Sequence, residues 1–331
     1  MTCSSGRQEP EDWKSRKKTH KGKLLFPSPD LLICAYFLFC VFSWLLLLTI
    51  MSSTLDLALI NRAAPPGSMR FFSLLYTPPE KRDEVTALFV IEAELRESAL
   101  SVNHDVAHTR LQWWRQEIDR LVNNNAQHPA TRVLANSSRA HRHFSKLHEM
   151  IVAADMDLAR MTYLNDQEMR AYCSRSGGSI AELIAIQLAT PVALDDSQRA
   201  TANKLGALVR AAEIVRDVRQ DAYEGRLYLP LDVLEKHSVK HEELRAKDLG
   251  PNARAALAET ATKLNEDIER ACSSIPTSSR AYLRPLYVLA GLHAGLLQQI
   301  ARINYDVGSA RVELGPIRKP WLAWRAARRA G

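Results

Sequence analysis

From residue 70 onward the apolar residues of this chain recur at three- and four-residue steps, and that spacing restricts what the chain can fold into. Val85, Leu88, Ile91 and Leu95 follow it, and Leu111, Trp114, Ile118 and Leu121 repeat it. Such steps stack side chains on one face of an α-helix. Further helices are expected over 139–162, 166–190, 198–223, 253–273 and 279–305. No segment alternates at period two and no Asn-Gly hairpin signal occurs, which argues against a sheet. Short turn-type linkers such as "AAPPG", "NNNAQHP" and "DLGPN" separate the helices. The expectation is one all-α domain over roughly 55–320, followed by a basic tail over 321–331.

The first fifty residues differ in kind. Residues 1–30 are polar and basic, and Leu31 to Ile50 form a run without a charged residue. About 20 such residues suffice to span a bilayer. The run is too long for a signal-peptide core, and no small-residue cleavage site follows it. Lys14 through Lys23 upstream would stay cytoplasmic under the positive-inside rule. A second reading competes, in which Met51 starts the protein and the upstream segment is translated non-coding sequence. A single-pass membrane protein and a cytoplasmic, membrane-associated one are the corresponding expectations. Five cysteines form no CxxC pair, and two of them lie beyond residue 50, which suits a reducing compartment. The net charge of +7 does not by itself imply a nucleic-acid partner, and none is expected.

Residues 205–225, "LGALVRAAEIVRDVRQDAYEG", set Arg210, Glu213, Asp217, Asp221 and Glu224 on one side of a helix. Leu205, Leu208, Val209, Ala212 and Val215 occupy the other. Aspartates four apart project carboxylates one turn apart, a spacing that can share Mg²⁺, a hard ion that takes oxygen ligands and keeps positions for phosphates. Arg216 and Arg226 can complete a diphosphate site by bidentate contact. A charged surface face shows the same spacing, so both readings stand on these residues alone.

The longer string "RDVRQDAYEGRLYLPLD" resembles the second aspartate-rich motif of the squalene/phytoene synthase family, with Arg216, Asp217, Val218, Asp221, Gly225, Arg226, Tyr228, Leu229 and Pro230 in register. "GSMRFFSLLYTPPEKRDEVTALFVIE", "LQWWRQEID" and "MDLARMTYLNDQEMRAYCSRSGGSIAELI" resemble other segments of that family in the same order. So does the closing stretch from "LRPLYVLAG" onward, so that the resemblance covers roughly residues 60–325. It implies an isoprenoid-synthase-type helical bundle around a central cavity. It also implies two Asp-rich motifs on facing helices, each holding Mg²⁺ against a diphosphate for head-to-head condensation. Metal ions there would stabilise the leaving pyrophosphate and the allylic cation.

The chain departs from that pattern where the first motif is expected. Residues 96–100 read Arg96, Glu97, Ser98, Ala99 and Leu100 in place of D-D-x-x-D. Arg210 and Glu213 also stand where the family carries Gln and Asn. The chain is similar, in "FVIEAELRESALS" and "RLQWWRQEID", to a branch that includes mitochondrial proteins of respiratory complex I assembly. The expectation is therefore a non-standard member. It binds a prenyl diphosphate or related lipid anion through Asp217, Asp221, Arg216 and Arg226, with Arg210, Glu213 and Tyr228 alongside and Mg²⁺ on the two aspartates. Its role is binding or assembly with a protein partner. The alternative is a working prenyltransferase that joins two prenyl diphosphates, with Glu94 and Glu97 replacing the missing aspartates. A membrane-anchored scaffold is the third reading.

Smaller features are assigned bland roles. His104 and His108 are four apart without an HExxH pattern, and His141 and His143 point apart on a helix. Asn136 opens a glycosylation sequon with no meaning in a cytoplasmic protein. Cys173 is expected to pack rather than react. The terminal "GPIRKPWLAWRAARRAG" interleaves Trp with Arg and is expected to be a solvated amphipathic helix rather than a lipid-binding one.

Overall fold

A computed structural model describes residues 55–137, 141–189 and 191–330. Its helices begin where polar side chains can satisfy free amides. Asp56 caps α1 (Leu57–Ala63) and Ser68 caps α2 (Met69–Leu75). A single 3₁₀ turn leads into α3 (Arg82–Ala99), and Asn103 caps α4 (His104–Val122). There follow α5 (Pro129–Ser137), α6 (Leu147–Leu158), α7 (Asp166–Cys173) and α8 (Ser179–Ala189). The 28-residue α9 (Asp196–Tyr223) opens with a capping box, in which Asp195 accepts from the Gln198 amide and the Gln198 side chain accepts in return. After α10 (Leu231–Lys236) come α11 (Pro251–Ser273), α12 (Thr277–Arg302) and α13 (Arg318–Arg329).

The centre of the bundle is α9, which packs on α8, α11 and α12. Leu205, Leu208, Ala212 and Val215 on its apolar side are buried, as the three/four spacing requires. On the other side of the molecule α3 packs on α1, α4, α5, α6 and α8. Helices α3 and α9 thus share α8 as a neighbour and face each other across a cavity lined by both.

Two expectations are corrected. The helix over 166–190 is broken by a π turn at Ser174–Gly178. The break lies at a close helix contact, where a Cβ on Gly206 of α9 would overlap the Gly177 carbonyl oxygen and the Ala181 methyl. Residues 321–330, expected as a basic amphipathic helix, lie in α13, which packs by one face. Leu322 and Ala326 of α13 press on Gly295 and Gly291 of α12, positions where any larger residue would collide with them. The helix expected over 139–162 is a 3₁₀ segment at His141–Lys146 followed by α6.

Among the described residues there is no strand, and no helix is long and apolar enough to cross a membrane. The Leu31–Ile50 run lies outside the described residues, as do both readings of it.

Candidate functional site

The charged stripe of α9 faces a cavity of about 910 Å³ rather than open solvent. Its wall includes Arg210, Glu213, Arg216, Asp217, Asp221 and Tyr228, together with further charged residues that include Arg96, Glu97, Arg311 and Lys319. The helical repeat of α9 brings its stripe to one wall, and the last two turns of α3 supply the opposite one.

Arg96 crosses the gap. Its Nη1 donates to Glu213 Oε2 at 3.0 Å and lies 3.7 Å from Glu92 of its own helix. Glu92 also meets Arg70 at 2.8 Å, and Glu213 lies 3.6 Å from Arg210. A ladder of alternating charge therefore runs from α2 through α3 to α9. Burial works against the charge on Glu213, but Arg96, Arg216, Arg70 and Arg210 outweigh it and hold the carboxyl well below its usual range. Burial and Arg210 likewise oppose the charge on Arg96, and Glu213 and Glu92 prevail. Behind the ladder is a small pocket of about 30 Å³, room for about one water and not for a hydrocarbon chain.

Arg210 anchors a second cluster. Its guanidinium lies over the rings of Tyr228 and Tyr172, 5.1 and 5.6 Å from their centroids, and donates to the Tyr172 hydroxyl at 3.0 Å. Both phenols donate to Asp157, Tyr228 at 2.7 Å and Tyr172 at 3.1 Å. Burial raises both phenols above their usual range, so they act as neutral donors.

The aspartates one turn apart have opposite surroundings. Asp217 accepts from Arg216 Nε at 2.8 Å and from Arg311 Nε at 3.0 Å. Burial opposes its charge, but these two arginines hold it below the usual carboxylate range. Oδ2 of Asp221 is buried without a hydrogen-bond partner. Burial, opposed by Arg210 and reinforced by the charge of Asp217, pushes this carboxyl up to about 7.

Not all of the expected residues converge. Arg226 is turned away from the cavity wall, with its Nη1 on Glu224 at 2.5 Å and its Nη2 3.5 Å from the Ala99 carbonyl. Glu97 reaches the rim, where Arg62 lies 3.5 Å away, and Glu94 lies between Arg62 and His128 at 3.9 and 3.6 Å. His104 and His108 are exposed on α4, and burial pushes the Cys173 thiol up to about 12, which suits a packing role. Asp157, Arg70, His293 and Arg311 also belong to the site and carry no motif that singles them out. Asp157 and Tyr172 lay in segments already matched to the family pattern, whereas Arg311 comes from 94 residues away and leaves no local signal.

Among the described residues no group of three or more His, Cys, Asp or Glu is placed to hold a metal ion. Asp217 already faces two arginines, which leaves the unpartnered Asp221 oxygen as the open carboxylate contact on α9. One open carboxylate suits Mg²⁺ only when substrate phosphates supply further oxygens.

A family model described as squalene/phytoene synthase matches residues 65–319. The chain is 35% identical over 103 residues to a phytoene synthase of Thermus thermophilus, a match spanning 31% of this chain and 34% of that protein. It is 25% identical over 242 residues to the NADH dehydrogenase (ubiquinone) complex I assembly factor 6 of Bos taurus, covering 70% of each. A crystal structure of a dehydrosqualene synthase in complex with ligand has the same fold, with a TM-score of 0.67 at 17% identity, covering 78% of this chain and 89% of that one.

Proposed function

The chain belongs to the squalene/phytoene synthase family, and from that footing we propose that it binds a prenyl diphosphate or a related lipid anion without joining two of them head to head. The observation that carries this reading is the Arg96–Glu213 pair at 3.0 Å. Arg96 stands where the family pattern implies the first aspartate, so a fixed guanidinium takes the place of a metal-binding carboxylate. A guanidinium repels Mg²⁺ but hydrogen-bonds phosphate oxygens directly. Ionising an allylic diphosphate needs dense positive charge at the leaving group, usually the largest catalytic contribution. A wall that neutralises its own acids with arginine supports holding an anion better than breaking one.

In this reading Arg216, Arg311 and Lys319 meet the phosphate oxygens, and Arg226 steadies the turn after α9 from behind. Asp221, and Asp217 if an incoming phosphate draws Arg311 away, would hold Mg²⁺ beside the anion. When bound, the ion would neutralise diphosphate charge. The lipid tail lies along the outer cavity, because the pocket behind the ladder is too small for it.

Likeness to the bovine assembly factor supports a protein-partner role, in which a ligand-holding fold serves assembly rather than turnover. A lipid ligand also supports a working place at a membrane surface. The test is incubation of the protein with farnesyl or geranylgeranyl diphosphate and Mg²⁺, followed by extraction of hydrocarbon. No C30 or C40 product is expected, while the diphosphates raise the melting temperature. Product formation that disappears in Asp217→Ala would establish the working prenyltransferase instead.

A further inference from the structure

Helix α13 lies almost wholly beyond the family match, which ends at residue 319. Its small residues face inward onto α12, which leaves a second face to account for. That face carries Trp321, 44% exposed, and Trp324, 49% exposed, with Ile317 at 64% just before the helix. Arg325 lies over the Trp321 ring at 5.3 Å and Arg328 over the Trp324 ring at 5.1 Å. The helix contains no acidic residue, and among the described residues neither of these arginines has an ion-pair partner. At its start partial burial, reinforced by the like charge of Arg302, lowers the proton affinity of Arg318. Like charges gathered without a carboxylate repel one another unless an external anion offsets them.

We infer that the Trp321/Trp324/Arg325/Arg328 face of α13 docks on an anionic lipid bilayer, a surface distinct from the cavity and independent of what the cavity holds. Tryptophans belong at the boundary of headgroup and acyl chain, where one edge of the ring is wet and the other apolar. Arginines spaced between them fit anionic headgroups, an attraction that added salt screens. An acidic protein would match the same charge, and that occupant is an outcome of the experiment below. Lys319, in the first turn of the same helix, lines the cavity. A helix of this length spans about 18 Å, so docking brings the cavity mouth within that distance of the headgroups.

The experiment is tryptophan quenching of the full chain by vesicles containing brominated phosphatidylcholine, with and without phosphatidylglycerol. Trp321→Phe/Trp324→Phe is compared with wild type, and thermal unfolding checks that both are folded. Docking predicts extra quenching with phosphatidylglycerol that disappears in the double variant and in Arg325→Glu/Arg328→Glu, and that weakens with added salt. Comparing variants in the full chain removes any constant contribution from Trp44 in the Leu31–Ile50 run. Equal quenching in wild type and the tryptophan variant, or quenching indifferent to phosphatidylglycerol and to the arginines, would overturn the proposal. Binding of an acidic protein without phosphatidylglycerol-dependent quenching would overturn it too.

Discussion

The two walls of the cavity divide their charge unevenly. The α9 wall carries the acids, and each of Glu213 and Asp217 is met by arginines, Glu213 by one from across the gap and Asp217 by one from a distant loop. The α3 wall presents Arg96 to the gap, while Glu97 turns to Arg62 at the rim. A metal-binding pair of walls would show carboxylates on both sides. In the function proposed above, cations built into the protein take over much of the neutralisation that metal ions would supply. A shared fold and one charged stripe therefore leave the charge between two facing helices free to differ.

The largest way to break that comparison is to strand the ladder. Glu213→Ala leaves Arg96 and Arg210 without their shared carboxylate, and losing one partner of a buried pair costs about 3–5 kcal/mol. Chemical denaturation should show this as a lower midpoint at unchanged slope. The charge swap Arg96→Glu/Glu213→Arg should recover part of it, and no recovery would mean that the pair is incidental.

Next in size is Gly206→Ala. Its methyl has no room against Gly177 and Ala181, and overpacking of this kind costs about 1–3 kcal/mol. Thermal unfolding measures it, and a neutral result would show that the π turn can yield.

The two aspartates sharpen the comparison through pH. Asp221 has a raised folded-state value, so the folded protein binds more protons than the unfolded chain between the ordinary carboxyl range and about 7. Its contribution is fully present below the unfolded value and is lost as pH rises through about 7. Asp217 has a lowered value. Its contribution is present above the unfolded value and is lost as pH falls through the folded one. Asp221→Asn should therefore stabilise the protein more at pH 8 than at pH 5. Asp217→Asn should destabilise it at neutral pH and less in acid. Urea melts across that range separate the two, and parallel curves would refute the opposite assignments.

The smallest effect is expected at Arg311→Ala. This side chain is 61% exposed, and such pairs contribute about 0–1 kcal/mol to stability. Diphosphate binding should nevertheless weaken measurably in calorimetry, and unchanged binding would remove Arg311 from the site.

Much of this was legible in the chain. The apolar spacing marked α3, α4, α9, α11 and α12 to within a few residues, because long amphipathic helices repeat their signal. Helices such as α1, α2 and α10, six or seven residues long, offer too few turns to repeat. The stripe on α9 and the odd "RESAL" of α3 were both visible, but as two separate departures. That they form one ion pair depends on how two helices face, which no local spacing encodes. Arg226 shared the motif yet points away, since the turn after α9 directs it toward Glu224 and Ala99.

In the proposed function arginines, rather than metal ions, are the primary partners of the anion in this cavity. Titration calorimetry of farnesyl diphosphate into the protein in excess EDTA tests it most directly, with Arg216→Ala/Arg311→Ala as the companion variant. Binding is expected to persist without metal and to collapse in the variant. Binding that vanishes in EDTA, returns with Mg²⁺ and ignores the two arginines would contradict it.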